Sequence, residues 1–237
     1  MKINQIDFSA WKAEFTKCHT SNYFVSPDWL DIQSRVFKLK NLFFKINKDD
    51  SDYFLSFQEK NGELYSNFIA YGGFMTKDGQ RVDAGILKKA LQIIEKDTGL
   101  SIARIKLSPL TIYEGDNFSF KTSETALLMI FDNSIDQNKI IDKKTRNMVK
   151  KSSLNDIIIK PISPNDLSVF YKFYCATMDR VGSKYYTPIE LFEYFCWKGD
   201  VNFLGAYLEG ELIAGSVFMN CGTVKYYWRN SSSQKGR

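Results

Sequence analysis

The second half of the chain places the tightest constraint on its fold. A β-branched run, Ile157-Ile158-Ile159-Lys160-Pro161-Ile162, reads as a strand. Ser163-Pro164-Asn165-Asp166 then starts a helix to about Arg180, with Leu167, Phe170, Tyr171, Tyr174 and Met178 on one face. Pro188 opens a second helix carrying Leu191, Phe192 and Phe195. Phe203 to Leu208, Leu212 to Asn220 and Val224 to Arg229 follow as antiparallel strands, joined by the turns Glu209-Gly210 and Cys221-Gly222. This order leaves one sheet edge unpaired and one face with little cover. The pattern is expected to continue into at least one more helix and strand, so the chain reads as cut off inside this domain, and the polar run Ser231 to Arg237 reads as a tail.

The first half mixes the same elements. A helix is expected after Asp7, with Ser9 as N-cap and Trp11 and Phe15 one turn apart. Ser26 caps a second helix with Pro27 in its first position, and Trp29, Ile32, Val36 and Phe37 share a face. Leu42 to Ile46 and Tyr53 to Gln58 read as strands, Asn61-Gly62 as a turn, and Leu64 to Ala70 as a further extended stretch. Gly72-Gly73 predicts a bend or a close backbone approach. Ala84 to Asp97 has helical periodicity, with Gly99 as its stop. Ile102 to Leu107, Phe118 to Thr122 and Thr125 to Phe131 read as extended, and Ile135 to Lys151 as a basic helix. The fold class is therefore mixed α+β, with a first domain over 1–138, a linking helix over 139–156 and a second domain over 157–237.

Composition narrows the chemistry. Length 237 is long for one average domain and short for two. The four cysteines, Cys18, Cys175, Cys196 and Cys221, form no metal spacing, and they read as reduced thiols. His19 is the only histidine, which leaves little material for a zinc site or a Ser-His-Asp triad. The first seven residues hold no apolar signal core, and no run approaches the ~20 apolar residues of a membrane span, so the chain reads as cytoplasmic. Net charge is +5, concentrated in Lys143, Lys144, Arg146, Lys150 and Lys151. That stretch is either the solvated face of an interdomain helix or an attractor of diphosphate or a tRNA backbone.

Several segments, taken in order, resemble the FemAB-like branch of the GNAT acyltransferases. They are Trp11, Phe24-Val25-Ser26-Pro27-Asp28-Trp29-Leu30, Tyr71-Gly72-Gly73, Lys143-Lys144-Thr145-Arg146-Asn147, Phe170 to Gly182, and Phe203-Leu204-Gly205-Ala206-Tyr207 through Ala214-Gly215-Ser216. The resemblance spans nearly the whole chain. It implies tandem GNAT-like domains joined by the basic helix, the second incomplete. It also implies transfer of an acyl or aminoacyl group to an amine of a cell-envelope or polysaccharide precursor. Known members use aminoacyl-tRNA and a peptidoglycan precursor; relatives include BioF2-like N-acetyltransferases. Where peptidoglycan-directed relatives tend to have a lysine in the second helix this chain has Gln33. Where they tend to have an aspartate after the Gly-Gly turn it has Thr76 and Lys77, with Asp78 displaced, and an arginine of the second domain gives way near Tyr186. Acyl-CoA therefore stands beside aminoacyl-tRNA as donor, with no tightly bound cofactor. The acceptor would be an amino-sugar or a lipid-linked or nucleotide-linked precursor.

Such a transfer needs no protein nucleophile, since the acceptor amine attacks the ester or thioester carbonyl itself. Donor binding in a GNAT domain uses backbone N–H groups after the fourth strand, and Gln234, Gly236 and Arg237 echo that place; the alternative is a polar tail. Arg180, Lys184, Tyr185 and Tyr186, between the two helices, are candidate substrate contacts or else solvated charge with aromatic packing. On the last strand Tyr226 and Trp228 face one way, Tyr227 and Arg229 the other. Tyr227 is the candidate proton-handling or orienting hydroxyl and Arg229 a candidate substrate contact. A chain lacking the donor half of its second domain is expected to be inactive, and a binding module on a retired enzyme fold is the contrasting reading.

Overall fold

The computed structural model describes residues 1–79, 81–115 and 141–236. It divides into two compact units, residues 1–123 with 221–224, and residues 124–220 with 225–237. The expected strands at 118–122 and 125–131, the start of the basic helix at 135–140, the boundary at 138 and Arg237 lie outside the described residues.

The first unit is built on the strands β1 (Lys2–Ile6), β2 (Lys40–Lys48), β3 (Ser51–Lys60), β4 (Glu63–Tyr65) and β7 (Ser101–Arg104), hydrogen-bonded in that order, with β5 (Met75–Thr76) also on β3. β6 (Val82–Asp83) and β8 (Tyr113–Glu114) form a separate parallel pair. The centres of β2 and β3 carry apolar residues on successive positions because both faces are covered there. Leu42, Phe44, Ile46, Leu55 and Phe57 meet Ile86, Leu87, Ala90 and Ile94 of α3 (Ala84–Thr98). On the other face Phe43 and Phe54 meet Trp11 of α1 (Phe8–Phe15) and Leu30 of α2 (Pro27–Phe37).

Local signals set the ends of these elements. Ser26 accepts from Trp29 N and Pro27 opens α2, as its sequence predicts. α3 stops at Gly99, which takes the left-handed conformation with φ +69°. α1 departs from expectation: its N-cap is Asp7, whose carboxylate accepts from Ala10 N at 2.8 Å, and Ser9 lies inside the first turn. The extended stretch from Leu64 ends at Tyr65, because the Asn67 side chain accepts from Ile69 N and Ala70 N and draws the chain into a turn. β7 likewise ends at Arg104, short of Leu107.

The first described element of the second unit is α4 (Lys143–Leu154), which has no buried residue. A four-stranded sheet follows in the order β12 (Val224–Ser232), β11 (Glu211–Cys221), β10 (Val201–Leu208), β9 (Ile158–Pro161). α5 (Leu167–Arg180) and α6 (Ile189–Cys196) supply Phe170, Tyr174, Phe192 and Phe195 to its core. Gly205 and Gly215 are register partners, and Phe170 lies over Gly215: a Cβ there would come within 2.6 Å of its ring. The last strand runs further than its sequence suggests. Ser231 and Ser232 belong to β12, and Ser231 is buried, so the polar run is not a free tail at its start. No helix among the described residues is long and apolar enough to cross a membrane.

Candidate functional site

The end of β12 borders a cleft in the second unit. Ser233 N donates to Ile213 O at 2.8 Å, extending the pairing one residue beyond the strand. Gly236 N then donates to Ser233 Oγ at 3.1 Å, closing a tight turn. A Cβ on Gly236 would fall 2.4 Å from Ile213 O, so only glycine fits the turn this close to the sheet. Of the residues expected to hold the donor, Gly236 is in this turn and Gln234 is exposed at its tip. The adjoining cleft, about 480 Å³, has an apolar wall of Val169, Phe173, Leu212 and Ile213 and a polar rim of Asp166, Glu211, Ser233 and Lys235. Lys235 Nζ lies 3.0 Å from Glu209 and 3.8 Å from Glu211, and the bond to Glu209 raises its pKa.

Asp166 anchors the opposite side of this cleft. It accepts from Ser163 Oγ at 2.7 Å and from Tyr207 OH at 2.8 Å. The Ser163 bond, with Tyr207 and the nearby Lys160 charge, holds its carboxyl below the ordinary value of 3.8. Burial, with the Asp166 bond, pushes the Tyr207 phenol up to about 12, so it stays a donor. Lys160 Nζ sits 4.2 Å above the Tyr207 ring. A carboxyl with a depressed folded-state pKa adds stability that is fully present above its unfolded value and is lost as pH falls through the folded one. The stability advantage of the native protein over Asp166→Asn is therefore expected to shrink steadily below about pH 4. Urea midpoints of both proteins at pH 7, 4 and 2.5 test this; an advantage constant across that range would rule the Asp166 contacts out as its source.

The candidate acceptor contacts sit at the end of α5 and on its connection to α6. Tyr186 OH donates to Asp179 Oδ1 at 2.5 Å, which raises the Tyr186 pKa. Ser183 Oγ donates to Tyr185 O at 2.8 Å, while the Tyr185 side chain is 86% exposed. The connection is tied down by Thr187, buried, whose hydroxyl oxygen lies 3.0 Å from Tyr174 OH and whose N–H donates to that phenol at 2.9 Å. Arg180, the last residue of α5, and Lys184, on the connection, are exposed.

On β12 the expected alternation holds for the core face: Tyr226 is buried, and Trp228 packs 5.2 Å from Phe195. Tyr227 is exposed and stacks on Phe218 at 5.2 Å. Arg229 does not simply share its face. Its guanidinium folds over the Trp228 ring at 4.7 Å and donates to Trp228 O at 3.1 Å. Neither Tyr227 nor Arg229 lines the cleft at the end of the strand.

In the first unit Gln33 is fully buried, and its Nε2 donates to Asn67 Oδ1 at 3.4 Å. Gln33 Oε1 has no partner among the described residues. Thr76 is buried against Thr20, and Lys77 pairs with Glu14 at 3.0 Å and Asp52 at 3.3 Å. The stretch after the Gly-Gly turn is thus locked into the fold by its own contacts. Asn67, Asp166 and Tyr207 are absent from the sequence-derived site residues. Asp166 and Tyr207 are 41 positions apart, and no local pattern marks such a pair.

No protein-family model matches the sequence, and no curated protein matches it. Among solved structures, the crystal structure of FemX aligns with 99% of this chain and 81% of its own, with a TM-score of 0.65 and 12% sequence identity. The fold is similar to that of FemX. The likeness supports the mixed α+β architecture over nearly the whole chain.

Proposed function

We propose that this protein is a FemAB-type transferase that moves an acyl or aminoacyl group to an amine of a cell-envelope or polysaccharide precursor. The observation that carries this reading is the FemX-like fold across 99% of the chain. FemAB members draw on aminoacyl-tRNA, and acyl-CoA stands beside it as the alternative donor. In this reading the donor's polar end meets the Ser233–Gly236 turn, and its less polar part lies along Val169 and Phe173. The acceptor amine attacks the carbonyl carbon, the ester or thioester bond breaks, and the amine proton passes to a base or solvent. Arg180, Lys184, Tyr185 and Tyr186 are the proposed contacts to the acceptor; Tyr227 and Arg229 lie outside the cleft and are given no part in the step.

Thermal melting with charged tRNA, uncharged tRNA, acetyl-CoA and a nucleotide-linked amino-sugar precursor tests the reading. A ligand that binds only the folded state raises the midpoint. Charged tRNA and the precursor are expected to raise it; a rise with acetyl-CoA instead would move the donor to acyl-CoA. A midpoint unmoved by every donor would sink the transferase reading in favour of a binding module. Arg180→Ala is expected to weaken precursor binding about tenfold, the scale of one charge-assisted hydrogen bond. Titration calorimetry on the two proteins measures it, and equal affinities would remove Arg180 from the acceptor site.

A further inference from the structure

The helix α4 is unlike every other helix described, because all its side chains remain largely in water. Between Lys143 and Asn155 the chain has five cations and no carboxylate. Lys143, Lys144, Lys150 and Lys151 form no ion pair among the described residues, and Lys143, Lys144 and Lys151 line one shallow groove together with Met148. Asp142 is used at the N-cap, accepting from Thr145 N at 2.9 Å, and Arg146 donates to Ile141 O at 2.6 Å. Met148 is 62% exposed and Val149 57%. On a helix these two share a side with Thr145 and Ser152; Lys144 and Lys151 flank one edge of that side and Arg146 the other, while Lys143, Lys150 and the 76% exposed Leu154 lie opposite.

We infer that α4 is a docking surface for an anionic bilayer. The lysines alone would suit any polyanion, and the apolar side chains decide between partners. A nucleic-acid backbone offers Met148 and Val149 nothing apolar, and α4 has no aromatic residue to stack on a base. A bilayer surface satisfies both sides of the helix: lipid phosphates meet the lysines, and the acyl boundary takes the methionine and valine. This inference does not rest on the transferase reading.

The test is co-sedimentation of the whole protein with vesicles of phosphatidylcholine alone or with about one third phosphatidylglycerol. Binding is expected on the anionic vesicles only, falling as salt rises. Each lysine near such a surface is worth about a fivefold change in partitioning, so Lys144→Glu with Lys151→Glu should lower binding by at least ~25-fold. Met148→Ser with Val149→Ser keeps every charge and is expected to lower binding about tenfold. Both pairs are exposed, and unchanged melting midpoints confirm that the variants fold. No sedimentation with anionic vesicles, or equal sedimentation with neutral ones, would overturn the inference. So would binding that the serine variant leaves intact while tRNA competes it away, which would make α4 a polyanion site.

Discussion

Phe192→Ala is expected to destabilise the second unit by about 3–5 kcal/mol, the range for emptying an aromatic site in a packed core. Phe192 is fully buried, and its ring lies 5.3 Å from Phe170, 5.0 Å from Tyr174 and 5.9 Å from Trp228. It therefore joins α5, α6 and β12 through one side chain. Collapse around the void is limited because Phe170 is already fixed over Gly215 and Tyr174 is held by Thr187. Urea unfolding read by tryptophan fluorescence reports the loss, since Trp228 touches the site. Phe192→Leu keeps most of the apolar volume and should cost less, about 1.5 kcal/mol. A loss under about 1 kcal/mol for the alanine variant would show that this aromatic cluster is not the core of the unit. In the proposed transferase reading, the end of α5 at Arg180 and the connection that follows it are held between α5 and α6, so loosening their packing should also weaken precursor binding.

Local rules made much of the fold legible. Ser26 with Pro27, and Gly99 after an amphipathic run, carry their start and stop signals within a few residues, and the structure follows them. The strands of the second unit are legible because their turns are short and their apolar residues alternate. What sequence misses depends on competition or distance. Asp7 outcompetes Ser9 as a cap because its carboxylate reaches Ala10 N. Asn67 diverts a strand-like stretch by binding its own downstream N–H groups. The serines at the end of β12 look like a tail, yet Ser231 is held against β11. The candidate site was readable only as a place in the element order. Its carboxylate, Asp166, meets Tyr207 across the sheet and helix layers, and only the fold brings them together.

Gly72→Ala is expected to cost about 3 kcal/mol, at the upper end for forcing atoms into an already packed site. The reason is a backbone crossing, which side-chain rotation cannot relieve. A Cβ at this position would stand 2.2 Å from Ser66 O and 2.8 Å from its carbonyl carbon. Ser66 cannot retreat freely: its N–H donates to Arg104 O at 3.1 Å, and its Oγ accepts from Lys106 N at 2.8 Å. Gly72 N itself donates to Lys106 O at 2.9 Å. Both segments are therefore tied to the chain leaving β7, and room for a methyl group requires breaking at least one of these bonds. Gly199 supplies the control, since a Cβ there meets nothing within 4 Å and its φ is not in the left-handed region. Gly199→Ala should stay within about 0.5 kcal/mol of the native protein. Equilibrium unfolding of the two variants, followed by far-ultraviolet circular dichroism, which reports on both units, separates them. Equal stabilities would mean that the Gly-Gly segment is dispensable for the crossing. A selective loss at Gly72 would establish that the Tyr71-Gly72-Gly73 segment is fixed by backbone geometry, independently of any ligand.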